Sequence, residues 1–318
     1  MKTKILIIGA CGQIGSELCY KLREVHGEEN VIASDISTSN RKIVDRGIFE
    51  IIDAKDYEAI KENVEKHNIN TVYLMAAMLS AVGEKFPEKA WDLNMNSLFN
   101  VLNLGKEGLV KKIFWPSSIA VFGPTTPKQQ TPQTTIMEPT TVYGMSKMSG
   151  ERWCNYYFNK YNVDVRSIRY PGIISWKTQP GGGTTDYAIE IYHKALVRKT
   201  YRCFLTEDTE LPMMYMEDAI AATMQIMDAP IENIKERSSY NLSAISFTPK
   251  QIAENIKKTI KGFKIVYKPD YRQAIASSWP SSIDDSQARK DWGWQHEYDL
   301  DAISKEMLVN LSRKKLNI

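Results

Sequence analysis

The chain is 318 residues long, 43% hydrophobic and 25% charged, and its 41 Lys and Arg nearly balance 38 Asp and Glu. This is an ordinary globular composition, with room for one large domain or for a main domain and a smaller companion. Scattered Lys and Arg argue against a nucleic-acid surface, and no apolar run approaches the roughly 18 residues of a membrane helix. Cys11, Cys19, Cys154 and Cys203 form no C-x-x-C pair, and His26, His67, His193 and His296 are dispersed, so the sequence predicts reduced thiols in a cytoplasmic protein without a zinc site.

The opening MKTKILIIGAC has the charge and apolar run of a signal peptide, but the run is too short and Gly12, Gln13 and Gly15 interrupt it at once. Lys4 to Ile8 reads instead as a strand buried on both faces of a parallel sheet. It leads into Gly9, Gly12 and Gly15, the spacing of a phosphate-binding turn: the first glycine for the tight turn, the second for close approach of a pyrophosphate, the third for helix-on-sheet packing. A helix over 13–26 would aim its free amides at the phosphates. Cys11, inside the turn, reads as a small buried residue more readily than as a redox thiol.

A second strand, Val31 to Ser34, ends in Asp35, twenty residues past Gly15, where a carboxylate accepts ribose hydroxyls and repels a 2′-phosphate. NAD is therefore expected over NADP, although Arg41 and Lys42 lie close in sequence. A third strand, Ile48 to Ile52, brings up Asp53, either an acceptor for an adenine amino group or a cap for the helix beginning near Tyr57. Asn70 to Met75 forms the fourth strand, followed by Ala76 and Ala77, whose small side chains leave room for a cofactor. A helix over Pro87 to Lys106 and a fifth strand, Lys112 to Pro116, complete a strand–helix alternation that predicts a doubly wound parallel α/β sheet of the Rossmann type.

The fifth strand runs into Ser117 and Ser118. Ser118 lies beyond the carboxyl end of a strand, suited to hold a substrate oxygen or, alternatively, to cap a helix. Tyr143 and Lys147 are four apart, hence on one face of a helix one turn apart. A fixed ammonium near a phenol favours the phenolate, so the pair has the makings of a general base.

Glycine turn, Asp35, the Ser117-Ser118-Ile119-Ala120-Val121-Phe122-Gly123 segment and Tyr143-x-x-x-Lys147 occur in order and together resemble the extended short-chain dehydrogenase/reductase superfamily, which includes nucleotide-sugar epimerases; the similarity covers at least residues 4–172. The resemblance implies a catalytic set of Ser118, Tyr143 and Lys147. It also implies cofactor contacts from Gly9, Gly12, Gln13, Ile14, Gly15, Asp35, Asp53, Leu74, Ala76, Ala77, Asn94, Tyr143 and Lys147, and no metal. Arg169-Tyr170-Pro171-Gly172 closes a sixth strand ahead of the glycine loop Gly181-Gly182-Gly183. That loop, Thr184 to Ala188, Leu211 to Ala219 and Ser278 to Asp284 are similar to the short-chain type of L-threonine 3-dehydrogenase along essentially the whole chain.

An amino-acid substrate suits these residues, because loop amides with the Thr184 and Thr185 hydroxyls can bind a carboxylate without a dedicated arginine. The resemblance adds Ser80, Thr185 and Trp279 as substrate contacts beside Ser118 and Tyr143, with the glycine loop and Trp279 as a lid. A flexible linker for the former and plain core packing for the latter are the alternatives. It further implies a homodimer through helices bearing Met95, Leu98, Leu102, Met148 and Trp153. Domains are expected at 1–172 plus about 213–245 for NAD, and at about 173–212 plus 246–318 for substrate, with Asp218 starting a helix and Ser239 to Ser243 a strand. The rival readings are a nucleotide-sugar epimerase or dehydratase with tightly bound NAD, for which Lys194, Arg198 and Arg202 are available, and a non-catalytic NAD-sensing regulator. Phe122 stands where epimerases of the superfamily usually carry tyrosine, which weakens the first of these.

Overall fold

The apolar runs of the N-terminal half assemble into a six-stranded sheet. In the computed structural model, which describes residues 3–179 and 183–316, its strands are β1 (Ile5–Ile8), β2 (Val31–Asp35), β3 (Phe49–Ile51), β4 (Thr71–Leu74), β5 (Lys112–Phe114) and the short Val165–Arg166 strand. The order is β3-β2-β1-β4-β5 followed by Val165–Arg166, with every pairing parallel. This is the expected doubly wound α/β sheet. The order reverses between β1 and β4, so the crevice at their carboxyl ends is where ligands bind in such sheets. All four side chains of β1 are at most 1% exposed, which is why that run carries no polar alternation.

The helices are α1 (Gln13–His26), α2 (Arg41–Val44), α3 (Tyr57–Lys66), α4 (Ser80–Gly83), α5 (Pro87–Lys106) and α6 (Val142–Tyr161). Helix α5 begins on Pro87, whose missing N–H costs nothing at a first turn, and buries Ala90, Asn94, Leu98, Val101 and Leu102 along one face. Thr141 caps α6 by accepting from Gly144 N at 3.1 Å, and Asn162 in the left-handed conformation ends it. Gly150 lets α6 lie against the sheet: a Cβ there would fall 2.4 Å from the Trp115 ring and 3.0 Å from Leu98 Cδ2.

Some local expectations shift. The fifth strand stops at Phe114, short of Pro116, which has no N–H for the ladder. The sixth strand of the sheet is Val165–Arg166, while Ile168–Tyr170 and Gly172–Ile174 are separate short strands on either side of Pro171. The helix read as starting at Asp218 runs over Met216–Asp228. Asp218 does not cap it but accepts the backbone N–H of Glu297 and Tyr298 at 2.9 and 3.2 Å. Leu98 and Leu102 lie in the core beneath the sheet and Met95 is buried, so of the residues read as a dimer face only Trp153 stands well exposed, at 38%.

The chain divides into two compact units, one comprising Met1–Ser118, Thr141–Arg169 and Ile220–Tyr240, the other the remainder. The second holds a three-stranded sheet in which Leu211–Tyr215 runs parallel to Gly172–Ile174 and antiparallel to Ile245–Phe247. It also holds the parallel pair Thr200–Cys203 and Lys264–Tyr267. Its helices include Tyr187–Arg198, with Tyr187 and Tyr192 fully buried, and Pro249–Thr259, started by a capping box between Thr248 and Gln251. No helix among the described residues is long and apolar enough to cross a membrane.

Because the Trp115 ring fills the space over Gly150, Gly150→Val is expected to lower stability by about 1 to 3 kcal/mol through overpacking. Urea denaturation checks this; an unchanged midpoint would mean that α6 can move away from the sheet at little cost.

Candidate active site

The turn after β1 has the conformation that its glycines require. Gly9 has φ +92°, and a Cβ on it would fall 2.5 Å from Ala76 N, so neither the backbone angle nor the space admits a side chain. Its N–H donates to Ser34 O at 2.8 Å, joining the turn to β2. Helix α1 then starts at Gly12 without any side-chain cap, leaving its first amides to an external acceptor. Gln13 adds a buried Nε2 that has no hydrogen-bond partner among the described residues.

Asp35 ends β2 with one carboxylate oxygen accepting Cys11 N at 2.9 Å and the other Ser37 N at 3.0 Å, which orients the group and leaves further lone pairs. A cleft of about 210 Å³ is lined by Gly9, Gly12, Asp35, Asp53, Ala76 and Ala77. The uncapped start of α1 at Gly12 and the oriented Asp35 carboxylate, around one cleft, fit the phosphate and ribose parts of a dinucleotide. Asp53 is an exposed wall of this cleft and accepts from Lys55 N at 2.9 Å; the helix-capping role considered for it belongs to Asp56, which accepts Ala59 N at 3.0 Å. Arg41 is paired with Asp45 on the surface of α2. Cys11 donates its thiol to Ser37 O, and burial, followed by Asp35, pushes its pKa up, so the thiolate is disfavoured.

Strands β1, β4 and β5 are parallel and in register, so the glycine turn, Ala76 and Ser118 share one edge of the sheet. Along that edge α6 brings up its pair. The Ser118 hydroxyl is hydrogen-bonded to the Tyr143 phenol. Lys147, 3% exposed, donates to Pro116 O at 2.6 Å and stands 4.5 Å from the centre of the Trp115 ring and 5.6 Å from that of Tyr143. Here the electrostatics differ from the expectation that Lys147 sets the phenol. Burial dominates: it pushes Tyr143 up to about 12, with the Ser118 hydrogen bond pulling back, and brings Lys147 down to about 7. Both side chains are thus driven toward their neutral forms.

Several supports were not read from the sequence. Glu84 accepts Val142 N at 2.8 Å, tying the segment after α4 to the start of α6. Asn94 accepts Met78 N at 2.8 Å and donates to Met78 O and to Ser146 Oγ, both at 3.1 Å, holding the segment before α4 with one amide hydrogen and bracing α6 with the other. Leu74 turns its side chain into the core, and Met75, Ala76 and Ala77 after it line the cleft. Ser80 is buried at the first residue of α4. In the second unit Thr184 is buried and Thr185 half-buried ahead of the Tyr187–Arg198 helix; of the glycine loop, 180–182 lie outside the described residues. Trp279 is 8% exposed, and the serine loop after it is held by Lys128, whose carbonyl accepts from Ser281 N at 2.9 Å and Ser282 N at 3.2 Å.

Since Asp35 keeps its shape but loses its charge on amidation, Asp35→Asn is expected to weaken NAD⁺ binding by about tenfold or more and to narrow the preference over NADP⁺. Calorimetric titration with each nucleotide measures both effects; unchanged affinities would take Asp35 out of the ribose contacts.

Comparison with known proteins agrees with this geometry. Residues 5–243 match the NAD dependent epimerase/dehydratase family. An uncharacterized epimerase/dehydratase of Staphylococcus haemolyticus is 47% identical over 316 residues, 99% of each chain. The holo form of a GalE-like L-threonine dehydrogenase from Cupriavidus necator superposes with a TM-score of 0.94 at 56% identity, covering 97% of this chain and 99% of that one. A monomeric L-threonine 3-dehydrogenase from a metagenome, in its apo form, superposes at 0.93 with 47% identity over 98% and 99%. With a glycine cradle, an oriented acidic residue and a Ser-Tyr-Lys cluster on one sheet edge, the chain belongs to the NAD dependent epimerase/dehydratase family.

Proposed function

We propose that the chain is an NAD-dependent L-threonine 3-dehydrogenase, oxidising the 3-hydroxyl of L-threonine to 2-amino-3-oxobutanoate with Tyr143 as general base. The observation that carries this reading is the Ser118–Tyr143 hydrogen bond with Lys147 behind it, on the sheet edge that also bears the glycine turn. The choice of threonine is supported by the likeness to the dehydrogenases along nearly the full chain. The first compact unit would hold NAD, through Gly9, Gly12, Gln13, Ile14, Gly15, Asp35, Asp53 and the backbone at Leu74 to Ala77. The amino-acid contacts that the resemblance implies are Ser80, Thr184, Thr185 and Trp279.

NAD⁺, when bound, supplies the hydride acceptor. Ser118 holds the reacting oxygen and steadies the charge that grows on it, and Tyr143 takes the hydroxyl proton. A phenol pushed up to about 12 is a poor base by itself. Its neighbour resolves this. With Lys147 near 7, the neutral phenol–amine pair and the phenolate–ammonium pair hold the same number of protons, so the base forms by a transfer within the pair. Turnover then requires that the pair lose one proton to solvent, and it rises as pH passes the first apparent pKa.

Three outcomes test the reading. NADH absorbance should rise on mixing protein, NAD⁺ and L-threonine, with little response to L-serine or NADP⁺; conversion of a uridine diphosphate sugar without added NAD would instead identify an epimerase. Turnover should climb between about pH 6 and 8 with an apparent pKa near the 7 of Lys147. Tyr143→Phe should cut turnover by about 10² to 10⁴; retention of most activity would refute the general-base role. The homodimer expected of this chain uses the outer face of α5 and α6, where Phe99, Trp153, Tyr156 and Tyr161 form an aromatic row. One similar dehydrogenase is monomeric, so light scattering decides between the two states.

A further inference from the structure

Glu151 stands one turn beyond Lys147 on the same face of α6 and is fully buried. Its carboxylate accepts the Ser117 hydroxyl at 2.6 Å, and Arg169 through Nε at 2.9 Å and Nη2 at 2.8 Å. Helix α6 therefore grips three successive residues of the segment after β5. Lys147 holds the Pro116 carbonyl, Glu151 holds the Ser117 hydroxyl, and Tyr143 meets the Ser118 hydroxyl.

We infer that Glu151 is a positioning residue of the reaction: by accepting the Ser117 hydroxyl it fixes, against α6, the peptide that carries Ser118. This rests on the reading of Tyr143 as base. A buried ion pair such as Glu151–Arg169 is weak evidence of a stabilising device, because apolar side chains of similar volume often serve as well or better. What an apolar side chain does not offer is an acceptor for Ser117 and a negative charge one turn from Lys147.

The charged and titratable groups around Lys147 are Tyr143, Glu151 and Cys154, all from α6, while the sheet side offers the uncharged Trp115 ring. Burial pushes the Cys154 thiol up and keeps it neutral. Arg169, facing Glu151 from the strand side, is held in its charged form by Glu151 and Glu236. Glu151 thus contributes the fixed negative charge that favours the Lys147 ammonium. The sign of its removal follows. Without the carboxylate the protonated pair gives up its first proton more easily, so the acid limb of the pH profile moves to lower pH. Among the forms left, the phenolate–ammonium pair is also rarer, so the plateau falls.

The test is the pH dependence of kcat for the full chain with NAD⁺ and L-threonine, in wild type, Glu151→Gln, Ser117→Ala and Tyr143→Phe, with thermal unfolding followed in parallel. For Glu151→Gln the acid limb is expected to move down by about one pH unit and plateau kcat to fall about tenfold, the same energy read twice. Ser117→Ala is expected to lower the unfolding temperature modestly, through the lost bond to a buried carboxylate, and to lower kcat about fivefold at a temperature where it is still folded, with the acid limb unmoved, since the seat of Ser118 loosens. A folded Glu151→Gln with kcat within about twofold of wild type and the acid limb unmoved overturns the inference. If Glu151→Gln does not fold, Ser117→Ala decides: full activity overturns the inference, and loss of kcat in the folded variant with KM unchanged supports it. An active Tyr143→Phe removes the general-base reading itself, whereas an inactive Tyr143→Phe beside an undisturbed Glu151→Gln removes the positioning role alone.

Discussion

The site depends on the seating of α6 against the end of β5. At Gly150 the helix has no side chain, and Trp115 occupies the space a Cβ would need. That close approach allows a lysine side chain to reach the Pro116 carbonyl at 2.6 Å, and Tyr143, one turn earlier, to meet Ser118. Thr141 at the N-cap and Glu84 on Val142 N fix where the helix begins, and Asn94 through Ser146 braces its second turn. Each of these bonds spends a polar group on geometry rather than on the ligand.

The same seating has an electrostatic cost. Burial strips hydration from both the phenol and the amine, holding the phenol up and the amine down. A reactive pair kept mostly neutral is less expensive to bury than a permanent ion pair. Charge then develops where the neighbours favour it, so the residues that face Lys147 matter as much as the lysine.

At the other end of the edge the problem is inverted, since a dinucleotide brings its own charges. The glycine turn and the uncapped start of α1 offer backbone amides, and Asp35 offers a carboxylate already oriented by Cys11 N and Ser37 N. Parallel strands in register make these features and the Ser-Tyr-Lys cluster neighbours on one edge, although more than 100 residues of sequence lie between Gly15 and Ser118. The topology of the sheet, rather than any local contact, sets dispersed motifs along one end of the sheet.

How much of this was legible beforehand follows the range of the forces involved. Strand and helix identity in the first half, the glycine turn, the carboxylate at Asp35 and the Tyr143–Lys147 face could all be read locally, because burial periodicity, the backbone freedom of glycine and helical spacing are properties of short stretches. Glu151 was within reach of the same spacing argument, as the next member of the series 143, 147, 151. Its partner Arg169 was not, nor was the bracing by Asn94 or the contact of Gly150 with Trp115, since each joins elements distant in sequence. The break of the sixth strand at Pro171 and the anchoring of residues 297–298 by Asp218 likewise depend on what each segment meets. The sequence by itself determined the element types, the glycine turn and the shared helix face of the Tyr143–Lys147 pair. Tertiary structure alone decided the protonation balance of that pair and the residues that hold it, because desolvation and side-chain contact exist only once the helix is seated on the sheet.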